Sequence, residues 1–121
     1  MTRRKIQILI GNLDEFKKDV RTAFKRAESG LSANEPTHQV FFTSEADLFS
    51  TLSPKRMELL KFLKKNGPLS CRKLAAALAR SYANVHADVQ QLIRLDFIEK
   101  NCDEKLLVPW DEVDIAVSLV A

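Results

Sequence analysis

Four serines, Ser44, Ser53, Ser70 and Ser81, each stand just before an apolar pattern spaced by three and four residues. A serine hydroxyl in that position accepts from a backbone N–H of the first turn, so the four mark helix starts. Behind Ser44, Glu45 and Asp47 fall where a helix N-terminus favours negative charge, and Leu48, Phe49 and Leu52 form the apolar side. Ser53 precedes Pro54, which suits the first helical position because its missing N–H is not needed there. Met57, Leu59, Leu60, Phe62 and Leu63 then supply a stripe that ends at Asn66-Gly67-Pro68. Ser70 opens a helix with Leu74, Ala75 and Leu78, and Ser81 one with Val85, Val89, Leu92 and Ile93. Asp96 breaks that helix, after which the period falls to two. Phe97–Lys100 and Lys105–Pro109 flank turn residues 101–104, the pattern of a β-hairpin.

Outside this block the pattern is that of strands. Lys5–Ile10 is β-branched and bounded by Gly11-Asn12, Gln39–Thr43 reads as a second short strand, and residues 30–38 between have loop chemistry. Leu13, Phe16, Val20, Phe24 and Ala27 predict an amphipathic helix over 12–29. Near the other end, Val113, Ile115, Val117 and Leu119 alternate, as a strand with one covered face would. The expected fold is α+β, a winged helix-turn-helix over 44–110 with an added N-terminal strand-helix-strand element over 1–43 and a C-terminal strand over 111–121.

Charge is uneven along the chain. Residues 53–101 hold ten lysines and arginines against four acids, a local +6, whereas the whole chain carries +3. Positive charge concentrated in a helical block is the expected footprint of phosphate contacts. Cys71 and Cys102 belong to no CxxC or Cys/His cluster, His38 and His86 are isolated, and the three glycines form no phosphate-binding loop. No metal, no cofactor and no enzymatic activity are therefore expected. Asp111, Glu112 and Asp114 read as a charge run on a strand. No apolar run approaches the ~20 residues of a membrane helix, and the basic opening leads into no secretory core, so a cytoplasmic protein without membrane contact is expected.

The helix behind Ser81 carries the chemistry. With Val85, Val89 and Leu92 buried, the opposite face is Ala83, Ala87, Gln90 and Arg94, with Asn84 and Gln91 on its rim and Tyr82 and His86 on a flank. Asn and Gln pair with adenine edges, Arg with guanine, and small residues admit thymine methyls, so this face suits the major groove. Ser81, Arg72, Lys73, Arg80 and Lys55 add candidate phosphate contacts. Asp88, the one acid of this helix, is expected to accept from Arg72 or Lys73. One recognition helix reads few base pairs, so a homodimer is expected, assembled through the terminal elements by pairing of the N- and C-terminal strands within or between chains.

The phrases Leu52–Leu60, Asn66–Ala75, Tyr82–Val89 and Val108–Val113 together resemble a family of MarR-like winged-helix transcriptional regulators, from about Phe42 onward. The resemblance implies double-stranded DNA binding by the helix opened at Ser81 and a role as a repressor. Some members resemble antitoxins that repress an operon shared with a ribonuclease-like toxin, which makes a toxin protein the alternative partner. One departure is the acidic hairpin turn, Asp103 and Glu104, where a DNA-reaching wing would carry Arg or Lys.

Overall fold

The computed structural model describes residues 4–11, 37–117 and 119. The helix expected over 12–29, and most of the loop after it, lie outside the described residues. The described chain is mixed α+β, with strands β1 (Lys5–Ile10), β2 (Thr37–Phe42), β3 (Glu99–Lys100), β4 (Leu106–Leu107) and β5 (Glu112–Ala116). Its helices are α1 (Glu45–Thr51), α2 (Pro54–Asn66), α3 (Cys71–Ala77) and α4 (Tyr82–Arg94). Two compact units divide it. One holds β1, β2, β5 and α1 up to Ser50; the other is Thr51–Asp111. Residues 44–50, grouped by sequence with the helical block, cluster with the strands instead.

In the first unit the strands pair in the order β2-β1-β5, all parallel, with β1 in the middle. Residues 11–36 lie between β1 and β2, ample for the crossover of a dozen or so residues that a parallel pair requires. Ile8 stands opposite Val40 on one side and Ile115 on the other. Alternation along a strand puts Ile6, Ile8 and Ile10 on one face, and all three are buried. Leu9, on the other face, is buried as well. Burial on both faces is the usual state of a central parallel strand and accounts for the nearly unbroken apolar run. On the Leu9 side Gln39 Nε2 donates to Gln7 Oε1 at 3.2 Å, and Lys5 pairs with Glu112 at 3.7 Å. Both members of that ion pair are well exposed, so it marks register more than it stabilises.

Three sequence expectations change here. The second strand begins at Thr37, so the loop expected through residue 38 is shorter. Phe49 is 65% exposed, because Leu48 and Leu52, four apart, share the buried side and Phe49 is rotated about 100° from Leu48. The C-terminal strand forms and pairs with β1 within the chain, yet its apolar side is open: Ile115 is 45% and Val117 39% exposed. On the other edge strand, β2, Phe42 of the same sheet face is buried, so the uncovered apolar side is particular to β5.

In the second unit each predicted cap forms. Ser53 Oγ accepts from Arg56 N at 3.3 Å, Ser70 Oγ from Lys73 N at 3.2 Å and Ser81 Oγ from Asn84 N at 3.2 Å. Leu59, Leu60, Leu63, Leu74, Ala75, Val85, Val89 and Leu92 are buried with Phe97, Ile98 and Leu106. At roughly 1.5–3 kcal/mol for each large side chain, this burial is the main source of the unit's stability. The hairpin is narrower than its sequence pattern. The N–H groups of Phe97 and Ile98 both donate to Leu92 O, at 2.9 and 3.4 Å, so the end of α4 uses them and the ladder begins at Glu99. Leu69 joins Leu106 through two backbone bonds of 3.0 and 2.8 Å, tying the α2–α3 connection to β4. Trp110 Nε1 donates to Asp96 O at 2.7 Å, and Lys64 Nζ reaches Val108 O at 3.2 Å and Asp111 at 3.1 Å. These bonds hold residues 108–111 to α2 and to the end of α4.

Gly67 is required for space. Its N–H donates to Leu63 O at 2.7 Å, and a Cβ at this position would lie 2.5 Å from that backbone oxygen and 3.1 Å from Leu63 Cδ1. Gly67→Ala must therefore push the end of α2 away from Leu69 and β4. We expect a loss of about 1–3 kcal/mol, read as a lower midpoint in urea unfolding; an unchanged midpoint would show that the α2 terminus yields freely.

Candidate functional site

Helix α4 offers its outer surface. Ala83, Asn84, His86, Ala87 and Arg94 are exposed, as are Tyr82 and Ser81 at its start. Gln90 and Gln91 are half-buried, so Gln90 lies closer to the rim than the face expected of it. The buried stripe of Val85, Val89 and Leu92 fixes this rotation: each turn of the helix must keep one of these aliphatic side chains in the core. None of the exposed residues of α4 is acidic.

The acid of the helix is neutralised from two directions. Asp88 Oδ1 accepts from Arg56 Nε at 3.0 Å and Asp88 Oδ2 from Arg80 Nη2 at 2.6 Å. Arg56 Nη1 also donates to Thr51 O at 2.9 Å. The partners expected for Asp88, Arg72 and Lys73, do not reach it. Both sit in the first turn of α3 and are exposed, whereas Arg56 comes from α2 and Arg80 from the α3–α4 connection. The cluster ties three segments together with side chains about one-fifth exposed or less. Arg80, expected to meet phosphate, is thereby committed to Asp88. Its Nη1 is buried without a hydrogen-bond partner among the described residues.

The α3–α4 connection owes its tightness to Ala79, which adopts φ +54°. A left-handed alanine costs about 1–2 kcal/mol, and here it is held by Leu78 N to Leu74 O at 3.0 Å and Arg80 N to Ala75 O at 3.0 Å. Leu74 and the small Ala75 are the buried residues of α3, and α3 packs against α4.

A second cluster stands at the start of α4. The Arg72 guanidinium lies over the Tyr82 ring, 5.4 Å from its centroid, and the His86 ring follows at 5.6 Å, tilted by 31°. Tyr82 is 47% exposed, so this stack orders the arginine and the phenol at the surface. Lys55 and Lys73 are exposed and form no ion pair among the described residues, and the same holds for Lys61, Lys65 and Arg94. At the first residue of α3, burial pushes the Cys71 thiol up, and Lys100 draws it back part of the way, so the thiol stays protonated near neutral pH. In the hairpin turn Asn101 Oδ1 accepts from Asp103 N and Lys105 N, both at 2.9 Å, which leaves Asp103 and Glu104 at an exposed tip. Sequence reasoning missed the part of Arg56, which lies on the rim of the α2 stripe. No local pattern signalled it, because its partner Asp88 lies 32 positions away.

Among the described residues no group of three or more His, Cys, Asp or Glu is placed to hold a metal ion. No helix among them is long and apolar enough to cross a membrane. Three capped helices leading into a short hairpin make up most of the second unit. The model of the HVO_A0114 family matches residues 51–115, more than half of the chain, and the chain belongs to that family. No curated protein matches it.

The Asp88 cluster generates a direct test. Asp88→Asn removes the charge that two guanidiniums share and leaves them repelling each other in a part-buried setting. We expect a loss of about 2–3 kcal/mol in the free energy of unfolding from denaturant titration. A loss under about 0.5 kcal/mol would show that the cluster contributes orientation without stability.

Proposed function

We propose that the protein is a sequence-specific DNA-binding transcription regulator, acting as a homodimer and most simply as a repressor. In this reading α2, α3 and α4 with the β3–β4 hairpin are a winged helix-turn-helix of the MarR-like kind, and α4 is the recognition helix. The observation that carries the reading is the outer face of α4. It is free of acids and presents Asn84, Arg94 and the small Ala83 and Ala87, while its own acid is turned inward and held by two arginines. Such a face enters a major groove without repelling phosphate, and its amide and guanidinium groups match adenine and guanine edges.

Around it, Lys55, Lys73 and the Arg72–Tyr82 stack supply donors for the backbone of the duplex, which position the helix without reading sequence. The N-terminus of α4 adds its positive dipole end. The acidic hairpin tip argues against a wing that inserts into the minor groove, so the hairpin acts as a support. Two recognition helices set about 34–36 Å apart would meet successive major grooves on one side of the duplex.

The test is fluorescence anisotropy with duplex DNA over a salt series. Affinity should fall with a slope of about −0.9 in log affinity against log salt for each phosphate neutralised. Binding that is absent at low salt, or flat with salt, would exclude the reading.

Specificity separates the two kinds of contact. On a site selected from genomic fragments, Asn84→Ala or Gln90→Ala should cost about 1–3 kcal/mol, and much less on random DNA. Lys73→Ala or Lys55→Ala should weaken both alike. Equal losses on both DNAs for the amide variants would transfer those residues to the phosphate group.

A further inference from the structure

The first unit has an unfinished edge. Strand β1 is paired on both sides, by β2 and β5, so the sheet has two outer strands. They differ. On the sheet face of Ile8, β2 has Phe42 buried and Val40 half-buried, whereas Ile115 of β5 is 45% and Val117 just beyond it 39% exposed; Phe41 of β2, on the opposite face, is 42% exposed, and among the described residues no strand pairs with the outer side of β5 or of β2. A strand edge with open N–H and C=O groups and an exposed apolar column is a template for another strand.

The pattern of charge selects the occupant and the register. β5 carries Glu112 and Asp114 on one face and Val113 and Ile115 on the other, continued by Val117. In-register parallel pairing with a second copy would set each acid beside its own image, and antiparallel pairing centred on Asp114 would set Asp114 against Asp114. Like charges directly opposite are destabilising. Antiparallel pairing centred on Ile115 avoids both. It sets Ile115 against Ile115, Val113 against Val117 and Asp114 against Ala116, so the apolar residues of both copies form one continuous stripe. Glu112 falls outside the paired core and already has Lys5 as partner.

We propose that the outer edge of β5 is the homodimer interface, pairing antiparallel with β5 of a second copy about a two-fold axis at Ile115. The result is a six-stranded sheet in the order β2-β1-β5-β5-β1-β2. This gives a place to the dimer in the reading above and does not depend on DNA binding.

Site-directed crosslinking tests the register in a Cys71→Ala, Cys102→Ser background of the full chain. Residues directly opposite in an antiparallel pair have Cβ atoms about 4.5–5.5 Å apart, within reach of a disulfide after small adjustment. Ile115→Cys should therefore form a covalent dimer under mild oxidation. Ala116→Cys alone should not, because its own image lies about 8 Å away along the diagonal, beyond the limit of roughly 7 Å between Cα atoms. Mixing the Asp114→Cys and Ala116→Cys proteins should restore crosslinking.

In sedimentation equilibrium, Ile115→Lys and, independently, Val117→Lys should weaken the dimer by roughly tenfold or more, with circular dichroism unchanged. A monomeric wild type overturns the proposal, as does a dimer indifferent to both lysines or one crosslinked by Ala116→Cys alone. A monomer that binds DNA with a salt-dependent affinity would overturn the interface alone. A β5 dimer without DNA affinity would overturn the DNA reading alone.

Discussion

The carboxylate of Asp88 fixes the geometry of the helical unit. Apolar burial brings α2, α3 and α4 together, and Val85, Val89 and Leu92 set which side of α4 faces inward. A carboxylate with one oxygen on Arg56 and the other on Arg80 adds bonds of fixed direction to that packing. Arg56 is itself anchored on Thr51 O at the end of α1, so the constraint runs from that carbonyl through α2 to α4 and on to the turn before it. The turn is strained at Ala79, and the bond between Arg80 and Asp88 crosses the connection that this strain shapes. The rotation of α4 about its axis follows, and with it the residues it presents to solvent.

The same arrangement organises charge. Of the cations in the helical block, Arg56 and Arg80 are spent on Asp88 and Lys64 on Asp111. The remainder stand at the surface, around the start of α3 and along α2 and α4. Placing the one acid of α4 beneath these positions, and not among them, keeps the outer field positive at a cost of two arginines. The Arg72–Tyr82–His86 stack adds order where long side chains would otherwise sample many rotamers, and rotamer freedom lost before a ligand arrives is not lost on binding.

Most of the helical unit was legible because its signals are local. Ser53, Ser70 and Ser81 each cap the helix they announce, and Val85, Val89 and Leu92 occupy the buried side that their spacing requires. What was not legible depends on contacts between segments distant in sequence. Periodicity could not show that Asp88 meets a residue 32 positions earlier, nor that Phe97 and Ile98 give their N–H groups to Leu92 and so shorten the hairpin. The alternation of residues 113–119 identified a strand, but burial of its apolar side depends on what packs against that side, which the pattern does not contain. Phe49 shows the same limit at the scale of one turn: three apolar residues in a short helix allow two choices of inward face, and tertiary packing takes Leu48 and Leu52.

The sheet order has a consequence for how the chain comes together. The helical unit is one uninterrupted stretch, Thr51–Asp111, and its contacts close loops that lie within that stretch. Strand β5 instead pairs Glu112 with Lys5, across the whole of that stretch. Closing so long a loop is entropically costly until the residues between are already compact, so the pairing of β5 with β1 belongs to the late, slow part of folding. A block that is already compact, inserted between two strands of one sheet, lowers the entropic cost of bringing them together. Changes that slow the folding of residues 51–111 therefore delay a sheet to which those residues contribute no strand.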